Sequence, residues 1–288
     1  MEPSLIENQI NISGLDKYAA IIGKCPSKGA RSPLLWNAVF EHTQNNCKML
    51  PLDVKEKNII PLLDYLNSEK DFIGGAVTVP YKEVVAKWLE NNITDEAKQI
   101  GAVNCLFRNS DGLLFGTNTD GEAALLTYKN HYGSLAKKSV MILGCGGAGK
   151  ALASFFSSSS KSTLIISRSK SDESYAKKIH ADWASWDDMD KYILDIDIII
   201  NCTSIGFGDQ VLNSPLSEAQ ILKMKKSGVI FDIIYQPLKS ELLKRAKKIG
   251  ISTLNGLTMN LEQAVLAFAY CSKEKSLDKI KIIMGKVT

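Results

Sequence analysis

Short apolar runs alternate with longer stretches of helical spacing along most of the chain. Y-A-A-I-I-G at 18–23, M-L-P-L-D-V at 49–54 and F-I-G-G-A-V-T-V at 72–79 have strand length and are bounded by glycine, proline or a polar cluster. Between them, Ser32-Pro33 reads as an N-cap followed by proline at the first helical position. L-L-W-N-A-V-F then continues with helical spacing, as does the segment 59–66. A further helix opens at Tyr81-Lys82-Glu83 and carries Val84, Val85, Trp88 and Leu89. Segments 101–107 and 113–115 read as a strand pair around the turn N-S-D-G. The second of these runs into G-T-N-T-D-G, which puts Asp120 between a strand end and a helix start.

From Ser139 the alternation begins again. Strands are expected at 140–143, 162–167, 196–203, 229–233 and 251–255, with helices after the first, near 174–179 and at 240–249. Strand and helix in turn predict an α/β protein with parallel sheets. At 288 residues the chain suits two domains rather than one. Residues 1–11 are polar and acidic and are expected to be a short extension before the first strand.

Composition narrows the class. A content of 45% hydrophobic and 23% charged residues belongs to a soluble globular protein, and a net charge of +4, spread over scattered helix lysines, argues against nucleic acid as a partner. Six dispersed cysteines without a C-x-x-C pair and three histidines without ligand spacing predict a reduced, metal-free, cytoplasmic protein. No apolar run approaches the length of a membrane span.

The strongest local signal is V-M-I-L-G-C-G-G-A-G-K at 140–150. A strand ends in a turn containing Gly144, Gly146, Gly147, Ala148 and Gly149, and a small apolar helix follows. Such a turn lets a diphosphate approach the backbone, while the helix start favours its negative charge. The next strand ends in Ser167-Arg168-Ser169-Lys170. An NAD site usually has an acidic residue there, whereas NADP needs positive charge for its extra phosphate. Arg168, Ser167 and Ser169 therefore point to NADP, although Asp172 and Glu173 lie close by.

Taken in order, Y-A-A-I-I-G with R-S-P, G-A-V-T-V-P-Y-K-E, G-A-V-N, G-T-N-T-D-G, G-C-G-G-A-G, I-N-C-T-S-I-G and G-L-T-M-N-L-E-Q-A resemble the shikimate dehydrogenase family over nearly the whole chain. The resemblance implies an N-terminal α/β substrate domain at 1–122 and a Rossmann-like NADP domain at 123–258. A C-terminal helix, 259–288, would return to the first domain, and an active-site cleft would lie between the two. It implies NADPH-dependent reduction of 3-dehydroshikimate to shikimate in aromatic amino-acid biosynthesis, by a monomer or homodimer. Lys82 and Asp120 match the family's catalytic pair. Ser32, Thr78, Asn104, Tyr235 and Gln263 match substrate-binding positions, and Thr203 and Met259 would line the nicotinamide pocket.

Two positions depart from the family pattern. Its S-x-S before proline is here Ala30-Arg31-Ser32, and its asparagine before V-T is Ala76. The departures leave open a paralogue acting on quinate, an aminoshikimate or another cyclitol acid. A noncatalytic NADP-binding sensor is a third reading, against which the retained Lys82 and Asp120 argue.

Overall fold

The computed structural model describes residues 4–272 and 274–287. Its packing separates two units, Met1–Thr119 with Leu261–Thr288, and Asp120–Asn260. In chain order the elements of the first part are β1 (Lys17–Gly23), α1 (Ser32–His42), β2 (Cys47–Asp53), α2 (Ile59–Ser68), β3 (Phe72–Val77), α3 (Lys82–Leu89), α4 (Asp95–Ile100), β4 (Cys105–Arg108) and β5 (Leu114–Thr117). There follow α5 (Asp120–Tyr132), β6 (Ser139–Leu143), α6 (Gly147–Ser157), β7 (Ser162–Ser167), α7 (Asp172–Lys178), β8 (Asp182–Ser185), β9 (Ile198–Asn201), α8 (Glu218–Leu222), β10 (Val229–Asp232), α9 (Glu241–Ile249) and β11 (Ser252–Asn255). The last two helices are α10 (Leu257–Cys271) and α11 (Leu277–Gly285).

The first unit is built on a five-stranded sheet in the order β2-β1-β3-β4-β5. β2, β1 and β3 are parallel, and β4 and β5 form the antiparallel hairpin that the N-S-D-G turn predicts. One face carries Ile22, Leu52, Val54, Leu62, Leu63, Leu66 and Val85 under α2 and α3. The other is covered by α1, α10 and α11, where Trp36 and Phe40 meet Phe268 at ring centroid distances of 5.0 and 5.1 Å. Between Phe72 and Gly75, β3 spends one residue more than β1 does between Tyr18 and Ala20. Gly75 sits in this bulge at φ +145°, where a Cβ would come within 1.9 Å of the Ala20 carbonyl oxygen. Only glycine passes there. Arg108 secures the far end by donating to the carbonyls of Leu66, Asn67, Glu69, Phe72 and Gly112.

The second unit holds a six-stranded, all-parallel sheet in the order β11-β10-β9-β6-β7-β8. Its order reverses between β9 and β6, the place where a doubly wound sheet opens a crevice at its strand carboxyl ends. Met141, Leu143, Ile166, Ile199, Ile230 and Leu242 form the core on one face. Among the described residues no helix is long and apolar enough to cross a membrane.

Several details differ from the sequence reading. The single C-terminal helix expected over 259–288 is two helices, because the polar run after Cys271 ends α10 and Ser276 starts α11 by accepting from the Lys279 N–H. Arg31, not Ser32, occupies the N-cap position of α1, and Ser32 lies inside the helix. β3 ends at Val77 rather than 79, and β4 begins only at Cys105. The strand β8 and the helices α4 and α8 are additional. Of the expected N-terminal extension, residues 1–3 lie outside the described residues. Beyond them Ile6 is buried in the core and the Glu7 N–H donates to the Asp53 carbonyl.

Where β9 and β10 end, a fully buried polar network takes over from the sheet. Asn201 donates to Asp232 at 3.0 Å and to the Ile205 carbonyl at 3.2 Å. Asp232 also accepts from the Ile234 N–H and from the Ser240 hydroxyl. Burial nevertheless pushes Asp232 up to about 6, against hydrogen bonds from Ser240, Ile234 and Asn201 that favour the carboxylate. A carboxyl that titrates higher in the folded than in the unfolded chain adds stability below its unfolded pKa and loses it as pH rises through its folded pKa, here a loss of about 3 kcal/mol. We expect the unfolding free energy of Asp232→Asn, relative to the parent chain, to rise by up to about 3 kcal/mol between about pH 4 and pH 7. Denaturant titrations across that range provide the measurement, and a pH-independent difference would remove the buried charge from the account.

Candidate active site

In the first unit, the predicted substrate residues gather where β1 and β3 end. Thr78 follows β3 directly; its N–H donates to the Ile22 carbonyl at 2.9 Å and its carbonyl accepts from Tyr81 at 3.1 Å. A Cβ on Gly23 would lie 2.3 Å from the Thr78 methyl, so glycine there lets Thr78 sit over the end of β1. Tyr81 is buried, and its hydroxyl donates to the Val54 carbonyl at 2.7 Å, which fixes the start of α3. Lys82, the first residue of that helix, is half-buried, and its carbonyl accepts from Val103 at 2.9 Å.

Asn104 ties these pieces together. Its side-chain oxygen accepts from the Thr119 N–H at 2.8 Å, and its amide donates to the Thr119 hydroxyl at 3.0 Å. Its backbone carbonyl accepts from Val77, the residue before Thr78, at 2.8 Å. The Thr119 hydroxyl reaches the Gln263 carbonyl on α10 at 3.2 Å. Thr78, Lys82, Asn104 and Gln263 are therefore joined through short hydrogen-bonded paths, and Thr119 is the link that sequence reasoning missed.

Ser32 is buried in the first turn of α1. The loop leading to it is held by Asp53, which accepts from the Ser27 N–H at 2.9 Å and from its hydroxyl. Ala76 is buried at the end of β3 and Ala30 packs against the α1 core, so neither offers a polar side chain.

The second unit carries the remaining residues. Asp120 is buried at the first position of α5, and the close fit of α5 on α6 is visible at Gly121, whose Cβ would lie 2.4 Å from the Ala151 carbonyl. Tyr235 is half-buried just past β10. At the carboxyl ends of β6, β7 and β9 lies a cleft of about 700 Å³ lined by Gly144, Cys145, Gly146, Ser167, Arg168, Ser169, Asp172, Trp186, Cys202, Thr203 and Ser204. Six of the predicted cofactor positions thus share one wall. Thr203 is fixed there by Asn201, which accepts from its N–H at 3.1 Å and its hydroxyl at 2.7 Å. Gly147, Ala148, Gly149 and Met259 are not in this lining. The first three form the opening turn of α6, and Met259 is buried in the first turn of α10.

The glycines of the turn have distinct tasks. Gly144 adopts φ +95°, and a Cβ there would lie 3.0 Å from the Thr203 methyl. Gly149 lies against the turn itself, with a Cβ 2.1 Å from the Gly144 carbonyl oxygen. A Cβ on Gly146 would meet nothing within 4 Å, and Gly146 lines the cleft. A helix start, an accessible glycine backbone and a rim of Arg168 and Ser169 suit a dinucleotide diphosphate with a further phosphate at its far end. Among the described residues no cluster of histidine, cysteine and carboxylate side chains could hold a metal ion.

Comparison with known proteins agrees with both halves of this description. The shikimate dehydrogenase substrate binding domain matches residues 21–106, and the shikimate / quinate 5-dehydrogenase domain matches residues 127–237. A shikimate dehydrogenase (NADP(+)) of Caldanaerobacter subterraneus subsp. tengcongensis is 33% identical over 270 residues, spanning 90% of this chain and 92% of that protein. One from Methanocaldococcus jannaschii is 31% identical over 287 residues, spanning 96% and 99%. A crystal structure of a shikimate dehydrogenase in complex with NADP+ superimposes with a TM-score of 0.82 at 30% identity, covering 94% of this chain and 96% of the other. With the likeness running through the substrate unit and the dinucleotide unit alike, the chain belongs to the shikimate dehydrogenase family.

Proposed function

We infer that this chain catalyses the reversible NADP-linked interconversion of 3-dehydroshikimate and shikimate. The observation that carries the reading is the dinucleotide cleft ending in Arg168 and Ser169, in a chain similar over nearly its full length to NADP-dependent shikimate dehydrogenases. When bound, NADPH supplies a hydride to the ring ketone. The chain's part is to hold the ring and move the proton. Lys82 donates that proton from Nζ to the oxygen on which negative charge develops, and the Asp120 carboxylate accepts from a ring hydroxyl. Thr78, Asn104 and Gln263 read ring hydroxyls. Hydrogen bonds exchanged with Thr119 fix the Asn104 carboxamide. Ser32 and Tyr235 serve the ring carboxylate, and Thr203 and Met259 adjoin the nicotinamide.

A second reading, a related cyclitol acid as the physiological substrate, is favoured by Ala30 and Ala76. A hydrogen bond missing from a charged ligand group costs on the order of 1.5–3 kcal/mol, more than tenfold in binding. Rates of NADP+ reduction with shikimate, quinate and an aminoshikimate decide between the two. A kcat/KM for shikimate well above the others supports the first reading, and a better polyol replaces it. Absence of turnover on any ring acid, with NADP+ still bound, would favour a sensor.

The catalytic assignment predicts that Lys82→Ala lowers kcat by about 10²–10⁴-fold and leaves NADP+ affinity within about twofold. Near-normal turnover would remove Lys82 from proton transfer. The cofactor assignment predicts that Arg168→Ala raises the KM for NADP+ by about tenfold or more while changing NAD+ kinetics little. Asp172→Asn, which removes a negative charge from the same cleft, is expected to lower the KM for NADP+ by about two- to fivefold. Steady-state kinetics with both nucleotides measures both, and equal effects on NAD+ and NADP+ would show that neither residue reads the phosphate.

A further inference from the structure

The edge strand β8 and the turn that follows it carry two tryptophans near the end of β7, and the functions assigned so far use neither. Trp183 pairs in register with Ile165, and its indole N–H donates at 2.8 Å to the hydroxyl of Ser167, two residues further along β7. Ser167 is buried and lines the cofactor cleft. Trp186 follows β8 immediately, at the head of a short 3-10 turn that Ser185 secures by donating to Asp188 at 2.9 Å. It is half-buried and packs against the core that contains Ile166 and Met189, and it also lines the cleft that Arg168 and Ser169 line. An indole supported by the core and accessible from the cleft is a rigid aromatic surface whose ordering cost was met on folding.

The chemistry of the nucleotide says what such a surface receives. In NADP the extra phosphate and the adenine are attached to the same ribose, so a residue that reads that phosphate has the adenine close by. We propose that Trp186 is the adenine-binding wall of this cleft. The inference rests on the NADP reading given above and divides the labour within it: Arg168 distinguishes NADP from NAD, while Trp186 holds the adenine that both nucleotides share. Stacking of a base on an aromatic side chain changes affinity by roughly five- to a hundredfold when the aromatic group is removed.

The test uses adenosine 2′,5′-bisphosphate and ADP, adenine ligands with and without the 2′-phosphate, with binding measured by calorimetry and by tryptophan emission. Trp186→Leu keeps an apolar contact with the core and removes the π-face, and Trp186→Phe restores an aromatic ring. We expect Trp186→Leu to weaken both ligands by a similar factor, about tenfold, with Trp186→Phe recovering most of the loss. Tryptophan emission should respond to either ligand in the parent chain and lose most of that response in Trp186→Phe. Undiminished binding by a folded Trp186→Leu chain, or a loss confined to the bisphosphate, overturns the adenine assignment while leaving the NADP reading intact. Failure of the parent chain to bind the bisphosphate overturns the NADP reading and this inference with it.

Discussion

Both units depend on a buried asparagine where a sheet gives way to functional loops. Backbone groups at a strand end lose their ladder partners, and inside a protein each unpaired group costs more than a formed hydrogen bond returns. Asn104, 2% exposed, pairs with the backbone N–H and hydroxyl of Thr119. Asn201, fully buried, does the same for Thr203 and is itself braced by Asp232. A carboxamide suits this task because it donates and accepts at once without carrying charge. The segments of Thr119 and Thr203 are thus held directly by neutral carboxamides.

The second unit shows how close packing and ligand access are shared out within one short turn. Gly149 is required by the protein's own backbone, since its α-carbon lies against the Gly144 carbonyl. A Cβ on Gly146 would meet nothing of the protein within 4 Å, so no packing inside the chain demands glycine there. A sequence pattern counts the two as equivalent glycines, and only the packing separates them. The rim is equally divided, with Arg168 cationic and Asp172 anionic along one wall.

Much of this was legible in the sequence because period and punctuation agree. The dinucleotide strand, turn and helix were visible, and β7 spans the same residues as its apolar pattern, Ser162–Ser167. The edge strand β8 was missed because Asp182, Trp183, Ala184 and Ser185 have one paired side and show no apolar run. With it went Trp186. The helix α4 did have signals: Thr94 caps it by accepting from Ala97, and Gly101 closes it at φ +74°. Gly101 was instead read as the start of a strand, and the capping box of Ser217 and Gln220 on α8 was likewise present but unused. The link from Asn104 through Thr119 to Gln263 joins residues far apart in sequence, so no local pattern could announce it.

The order of the units along the chain bears on how the protein is made. The dinucleotide unit is one continuous stretch, whereas the other borrows its last helices from the far end of the polypeptide. Ala264, Val265, Phe268, Ile280 and Met284 complete the face on which Trp36 and Phe40 lie. During synthesis, that face stays uncovered until α10 and α11 have emerged, long after its own strands. The part that begins first is finished after the other, and a nascent chain halted before α10 would expose an apolar surface around Trp36 and Phe40 to its surroundings.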